Sequence, residues 1–279
     1  MNFNHTIDKN MRSLISFSKI SFDYNNNRWL LDESSEINKN KFIFNNDYKE
    51  LKSTKIKSGK QTIEFKYLNN ENKFDFQSIF KSVNFSSLIP KPKNILYDGI
   101  VNGKVSLKKT GNIYSGKSNI VMKDFSSNGY ILGDAYVDIE SSELRDKYNI
   151  QVKLTDKDFD IFDVNGSFQI DDLDYPLNLD VKTKNFRIKP FSAIGENVLQ
   201  NFDGYFDSEF NVSGSFQKPN FRGFIKAVNT SFDVPYLGVR YSFPENPSFE
   251  LNQMSINIDE FKIKDLSKNT TGLMNGKIT

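Results

Sequence analysis

Leu177-Asn-Leu179-Asp-Val181 alternates apolar and polar residues strictly, and Ile63-Glu-Phe65-Lys-Tyr67 and Ile150-Gln-Val152-Lys-Leu154 do the same. Successive side chains of a strand point to opposite faces, so each run sets apolar side chains on one side and polar ones on the other. Ile256-Asn-Ile258 and Phe261-Lys-Ile263 carry the period toward the carboxyl terminus. Between the runs lie turn clusters: Asn25-Asn-Asn27, Leu68-Asn-Asn-Glu-Asn72, Ser126-Ser-Asn-Gly129 and Pro244-Glu-Asn-Pro247. Such residues tolerate tight turns. The pattern predicts an all-β antiparallel meander, half-buried throughout, with at most one or two short helices over Lys189 to Gln200 and Phe76 to Val83.

Composition removes most chemistry. Among 279 residues there are 26 Phe and 12 Tyr, but one Trp (Trp29), one His (His5) and no Cys. A chain without Cys has no disulfide framework, no thiolate nucleophile and no Cys-based zinc site. His5 has no sequence partner with which to act as a general base. The 37 Lys and Arg and 35 Asp and Glu give a net charge of +2 with the signs interspersed, so the footprint of nucleic-acid binding is missing. No stretch approaches the roughly 18 apolar residues of a membrane span, and Met1 to Asn10 lacks the basic start and apolar core of a signal peptide. Gly272 to Thr279 begins a strand-like pattern with no closing turn, which favours a fragment of a longer protein.

The remaining constellations do not complete a site. Asp156, Asp158 and Asp160 are spaced like the start of a calcium loop, but the sixth position is Ile161 rather than Gly and the twelfth is Ser167 rather than Glu. Gly166-Ser167 and Gly214-Ser215 lack the nucleophile-elbow pattern and a downstream His, and read as strand glycines at a close backbone approach or a bulge. Gly99-Ile-Val-Asn-Gly103 lacks the spacing and the Lys-Ser/Thr pair of a phosphate loop. Asp171-Asp172 is an acidic pair of the kind a quarter-charged chain produces by chance. No catalytic, cofactor or metal residue is expected, and the chain does not read as an enzyme.

The sequence also matches itself at a shift of about 105 positions. Asp98-Gly99 falls on Asp203-Gly204, Ile120 on Ile225, Leu132-Gly133 on Leu237-Gly238 and Tyr136 on Tyr241. The apolar phase is kept: Val101, Val105 and Leu107 correspond to Phe206, Phe210 and Val212. A slip of one residue would turn every side chain to the other face. Asn84-Phe85 and Asn185-Phe186 stand upstream, followed by Pro90 and Pro190. Three segments result: a partial unit over 1–80, a unit over 81–180 and a unit over 181–279. Units of this kind stack into elongated, quasi-one-dimensional structures. Val101, Val105, Leu107, Ile120, Met122, Phe206, Phe210, Val212 and Ile225 are the candidate apolar face. That face is either an ordinary sandwich core or an open groove for acyl chains.

One passage carries a family resemblance. From Phe202 to Lys226 a strand with Gly204 near its start ends in Val212-Ser-Gly214, and Pro219 and Gly223 open the next strand. Val234-Pro-Tyr-Leu-Gly-Val-Arg-Tyr241 then looks like a short strand, and Phe261 to Asp265 with Gly272 to Ile278 looks like a closing hairpin. Together with Asn165-Gly166-Ser-Phe168 and Leu177-Asn-Leu-Asp180, this order resembles the translocation and assembly module TamB family, in its Asn- and Lys-rich Bacteroidetes-like versions. The resemblance is best over about residues 95–279.

The resemblance implies a taco-shaped β-groove in the periplasm, anchored in the inner membrane by a segment absent from this chain. It implies work with an outer-membrane barrel of the TamA or BamA kind, in outer-membrane protein assembly and secretion or in moving phospholipid by its acyl chains. No cofactor and no nucleic acid is implied. The alternatives are a structural or adhesin-like β-repeat protein and a segment of an outer-membrane β-barrel.

Overall fold

The computed structural model describes residues 2–32, 40–90, 95–111, 113–142, 147–169, 176–195 and 198–278. The first strands are β1 (Asn2–Ile7), β2 (Ser13–Lys19), β3 (Ser21–Tyr24), β4 (Asn27–Leu31), β5 (Lys41–Phe44), β6 (Tyr48–Ser58) and β7 (Gln61–Asn70). Next come β8 (Lys73–Asn84), β9 (Tyr97–Thr110), β10 (Ile113–Ser127), β11 (Tyr130–Ser141), β12 (Lys147–Asp156) and β13 (Phe159–Gln169). The last are β14 (Leu177–Arg187), β15 (Gln200–Gly214), β16 (Pro219–Val234), β17 (Val239–Ser242), β18 (Ser248–Gln253), β19 (Ser255–Asp265) and β20 (Thr270–Ile278). These twenty strands are assigned to one antiparallel sheet, as the alternation predicts.

Helical structure among the described residues is confined to 3-10 segments at Phe85–Ser87, Lys189–Gly195 and Pro235–Leu237. The helix expected over Phe76 to Val83 is instead part of β8. Phe74, Phe76, Ser78 and Phe80 alternate on one face, and then a bulge at Lys81 and Ser82 brings Val83 back onto it. The phase jump imitates a helical period. Pro235–Leu237 likewise turns rather than extends, and strand resumes at Val239 after Gly238 in the left-handed region.

The chain forms two compact units. The first comprises Met1–Lys91, Asp98–Lys123 and Tyr136–Tyr148. Here β1 pairs with β2, β2 with β5, β5 with β6, and the ladder continues through β7 and β8 to β9. Leu51, Tyr67, Phe76 and Leu107 stand opposite one another on successive strands, and Glu50, Leu68, Asp75 and Lys108 form the reverse face. In the second unit, Pro92–Tyr97, Asp124–Ala135 and Asn149–Thr279, the apolar row runs Val164, Val181, Phe210, Gly223, Leu251, Ile256, Ile278. Its reverse face carries Asp180, Asn211, Arg222, Asn252 and Ser255.

Each unit contains one strand broken in two. β4 and β5 lie along the same edge of β6, and β17 and β18 lie along the same edge of β16 before both reach β19. In the second unit the break is the Pro244-Glu-Asn-Pro247 turn, whose two prolines cannot donate to a ladder.

The bulges recur at corresponding places. Ser82, Asp124 and Asn185 have a φ of 51° and Asn229 a φ of 50°. Each donates its amide N–H to a side-chain oxygen, on the next strand for Asn102 at 2.9 Å, Asp134 at 3.0 Å and Asp207 at 2.7 Å, and in the turn between β17 and β18 for Asn246 at 2.8 Å. A bulge withdraws an amide from the ladder, and the side chain supplies the missing acceptor. Ser82 with Asn102 and Asn185 with Asp207 are the same device one repeat apart.

A second recurrent contact ties turn to connector. The Asn25 amide donates to the Ile89 carbonyl at 2.7 Å, and Asn27 donates to Ser87 Oγ at 3.0 Å. In the second unit the Asn128 amide donates to the Pro190 carbonyl, also at 2.7 Å. The hairpin tips β3–β4 and β10–β11 thus each hold the 3-10 segment that follows β8 or β14.

Candidate functional site

The nine candidate face residues fall into two sets, each on one face of its own unit. In the first, Val101 pairs with Val83, Val105 with Ser78 and Leu107 with Phe76. Gly103 is where β9 and β10 close up: at φ 143° a Cβ there would lie 2.8 Å from the Ile120 Cα. Gly99 is similarly the seat of Met122, whose Cγ a Cβ would meet at 2.8 Å. In the second unit Phe206 faces Ala227, Phe210 faces Gly223, Val212 faces Phe221 and Ile225 faces Ser208.

Burial divides these residues. Val101 and Met122 are 3% and 8% exposed and belong to the packed core, with Val83 at 0%. Val105, Leu107, Ile120, Phe206, Phe210, Val212 and Ile225 are only half-buried. Phe206 and Phe210 therefore keep part of their surface in contact with solvent, at a cost of about 25 cal/mol per Å² of apolar area left uncovered.

Several residues of this face escape an ungapped repeat comparison. Phe42, Phe44, Leu51, Tyr67 and Phe76 extend it in the first unit, with the Phe42 and Phe44 rings 4.9 Å apart. Phe221, Leu251 and Ile256 extend it in the second. Phe42-Ile-Phe44 shows the same alternation in sequence, but it precedes the matched repeat. Near the broken strand an aromatic cluster forms, with Phe243 5.4 Å from Phe232 and 5.2 Å from Phe261, and Phe249 5.5 Å from Phe261.

The polar groups make surface pairs. Lys117–Glu140 at 2.9 Å and Lys182–Glu209 at 2.8 Å join neighbouring strands on the polar side. Exposed pairs of this kind are screened by water and contribute little to stability. Hydrogen bonds from Lys57 and Lys55 hold the Asp32 carboxyl below the ordinary range, Lys153 and Thr155 do so for Asp160, and Asn201 followed by Arg240 for Asp233. Asp160, the third of the calcium-spaced acids, is thus engaged by Lys153 at 2.9 Å and Thr155 at 3.1 Å. Lys157 and Asp158 form the turn between β12 and β13.

Among the described residues no group of three His, Asp or Glu could hold a metal ion. His5 sits opposite Ile15 on β1. Gly166 lies against the Asn178 carbonyl, and a Cβ at Gly214 would come 2.9 Å from the Lys218 carbonyl, the close approaches read from the sequence. Asp171-Asp172 lies outside the described residues.

A shallow cleft of about 450 Å³ in the second unit is lined by Asn128, Tyr130, Lys189, Ser192, Asn201 and Arg240, among others. Its guanidinium is already taken by Asp233 and Ser231, each at 2.7 Å. The half-buried apolar face is the more extensive feature.

Fold and face together define a class: a repetitive all-β chain whose strands keep one apolar side in register. No helix among the described residues is long and apolar enough to cross a membrane. The chain matches no protein-family model, no curated protein and no solved structure.

Proposed function

We propose that this chain is a non-enzymatic, TamB-like segment that carries phospholipid acyl chains along its apolar sheet face. The observation that carries the reading is the incomplete burial of Val105, Leu107, Phe206, Phe210 and Val212 on a face that stays in register from strand to strand. Such a face suits a mobile apolar ligand, because contacts between methylenes and apolar side chains are non-directional and burying each methylene is worth about 0.8 kcal/mol. A chain of several methylenes gains enough to be held and too little at any one place to be fixed. On this reading the protein works in the periplasm, held at the inner membrane, and serves an outer-membrane barrel of the TamA or BamA kind.

The test is to purify the full chain, extract it and measure bound phospholipid by mass spectrometry, for the wild type and for Val105→Asp and Phe210→Asp. Both positions are half-buried, so circular dichroism should be unchanged while bound lipid falls at least tenfold. Lipid-free wild-type protein, together with intact outer membranes in cells carrying either variant, would end the carrier reading.

A further inference from the structure

Each unit has a hairpin tip whose asparagine holds a connector, and the two tips differ in the residue that follows. In the first unit Asn25 precedes Asn26, and its side-chain amide donates to the Ile89 carbonyl at 2.7 Å. In the second unit Asn128 precedes Gly129, and its amide donates to the Pro190 carbonyl at 2.7 Å. Both tips turn through positive φ, 46° and 60° at Asn25 and Asn26, 49° and 81° at Asn128 and Gly129. The backbone turn is shared, and the chemistry of its second residue is not.

An asparagine side chain is open to attack by the backbone nitrogen of the residue after it, and a glycine there has no side chain to hinder that nitrogen. Of the four Asn-Gly pairs in the chain, those at Asn102, Asn165 and Asn275 lie inside β9, β13 and β20, where the backbone is held extended. Asn128-Gly129 lies in a turn, with Gly129 exposed to water. The Leu96 N–H donates to Asn128 Oδ1 at 2.9 Å. A donor on that oxygen stabilises the negative charge that gathers there when Cγ is attacked.

We propose that Asn128 is a site of spontaneous deamidation that releases the connector over Lys189 to Ser192. The Gly129 nitrogen loses its proton to hydroxide and bonds to Cγ of Asn128, the Cγ–Nδ2 bond breaks, and that nitrogen leaves as ammonia. One water then opens the cyclic imide, to aspartate if the new C–N bond breaks and to isoaspartate if the original peptide bond breaks. Nothing is oxidised or reduced. Either product has lost the Nδ2–H donor and gained a carboxylate beside the Pro190 carbonyl, so two acceptors face each other without a hydrogen between them. Pro190, almost wholly buried, is then unseated together with Phe191, whose ring stacks on Phe186 at 5.7 Å. The site is independent of any lipid cargo, so its failure leaves the carrier reading standing.

The test is to hold the folded full chain in mildly alkaline buffer at body temperature, digest samples over time, and follow conversion of each asparagine by mass spectrometry. Conversion at Asn128 is expected well ahead of Asn25, and the converted protein, separated by ion exchange, should show faster amide exchange over Lys189 to Ser192. Gly129→Asn copies the Asn25-Asn26 tip with a residue that tolerates positive φ. It should slow conversion at Asn128 at least about tenfold while leaving connector exchange in fresh protein unchanged. Asn128→Asp, the product made directly, should raise exchange over the connector severalfold. Conversion at Asn128 no faster than at Asn25 overturns the proposal. So does equal conversion in Gly129→Asn, or an Asn128→Asp protein whose connector exchanges as slowly as the wild type.

Discussion

The same strands behave differently at their two ends. On β9, Val101 is sealed against Val83 beside the Ser82 bulge, while Val105 and Leu107, a few residues on, are half-buried. On β16, Ala227 is 0% exposed next to the Asn229 bulge, while Ile225 and Phe221 are half-buried. At the bulge end, connectors fold back over the sheet and tips clamp them. On β9 and β16 the other end carries apolar side chains that are less covered. On these two strands the sealed end contributes most to the core, while the other end keeps part of its apolar surface uncovered.

The sharpest way to break this comparison is to empty one site at each end. Trp29, 2% exposed near the β3–β4 tip, should cost about 3–5 kcal/mol on Trp29→Ala, whereas half-buried Phe210→Ser should cost about 1 kcal/mol. Urea unfolding followed by circular dichroism measures both. Equal losses would mean that the two ends pack alike.

A smaller effect is expected at Gly103, whose φ of 143° and closeness to the backbone of Asn119 and Ile120 leave no room for a side chain. Gly103→Ala should destabilise by at least about 2 kcal/mol through the strained φ together with the steric overlap. Unchanged stability would show that β9 and β10 can separate there at little cost.

Asn128→Ala removes the clamp on Pro190 and should cost about 1 kcal/mol, with faster amide exchange over Lys189 to Ser192 as the local signature. Exchange that stays slow would mean that packing alone seats the connector.

The smallest effect is electrostatic. Asp32, Asp160 and Asp233 have lowered folded pKa values, so their contribution is complete above the unfolded value of about 4 and is lost as pH falls through the folded one. The urea midpoint should be level from about pH 6 to 8 and decline below about pH 4. A midpoint that rises on acidification would contradict the pairings.

Strand content, the turns at Asn25–Asn27 and Ser126–Gly129, and the face shared by Phe210, Val212 and Ile225 were legible because alternation is a local property. Phe76 to Val83 was not, since a bulge there rephases the alternation into a helical period, and Ser82 declares itself only by pairing with Asn102. The broken strand β17–β18 was hidden for the same reason: the Pro244–Pro247 turn looks like any hairpin turn until both halves are seen along β16.

The sequence by itself determined that this is an all-β chain with an alternating apolar face, because side-chain period acts over a few neighbours. Only the tertiary structure decided which part of that face is sealed. Exposure of Val105 or burial of Val101 depends on connectors and bulges contributed from tens of residues away, and no local pattern distinguishes two valines four positions apart on the same side of one strand.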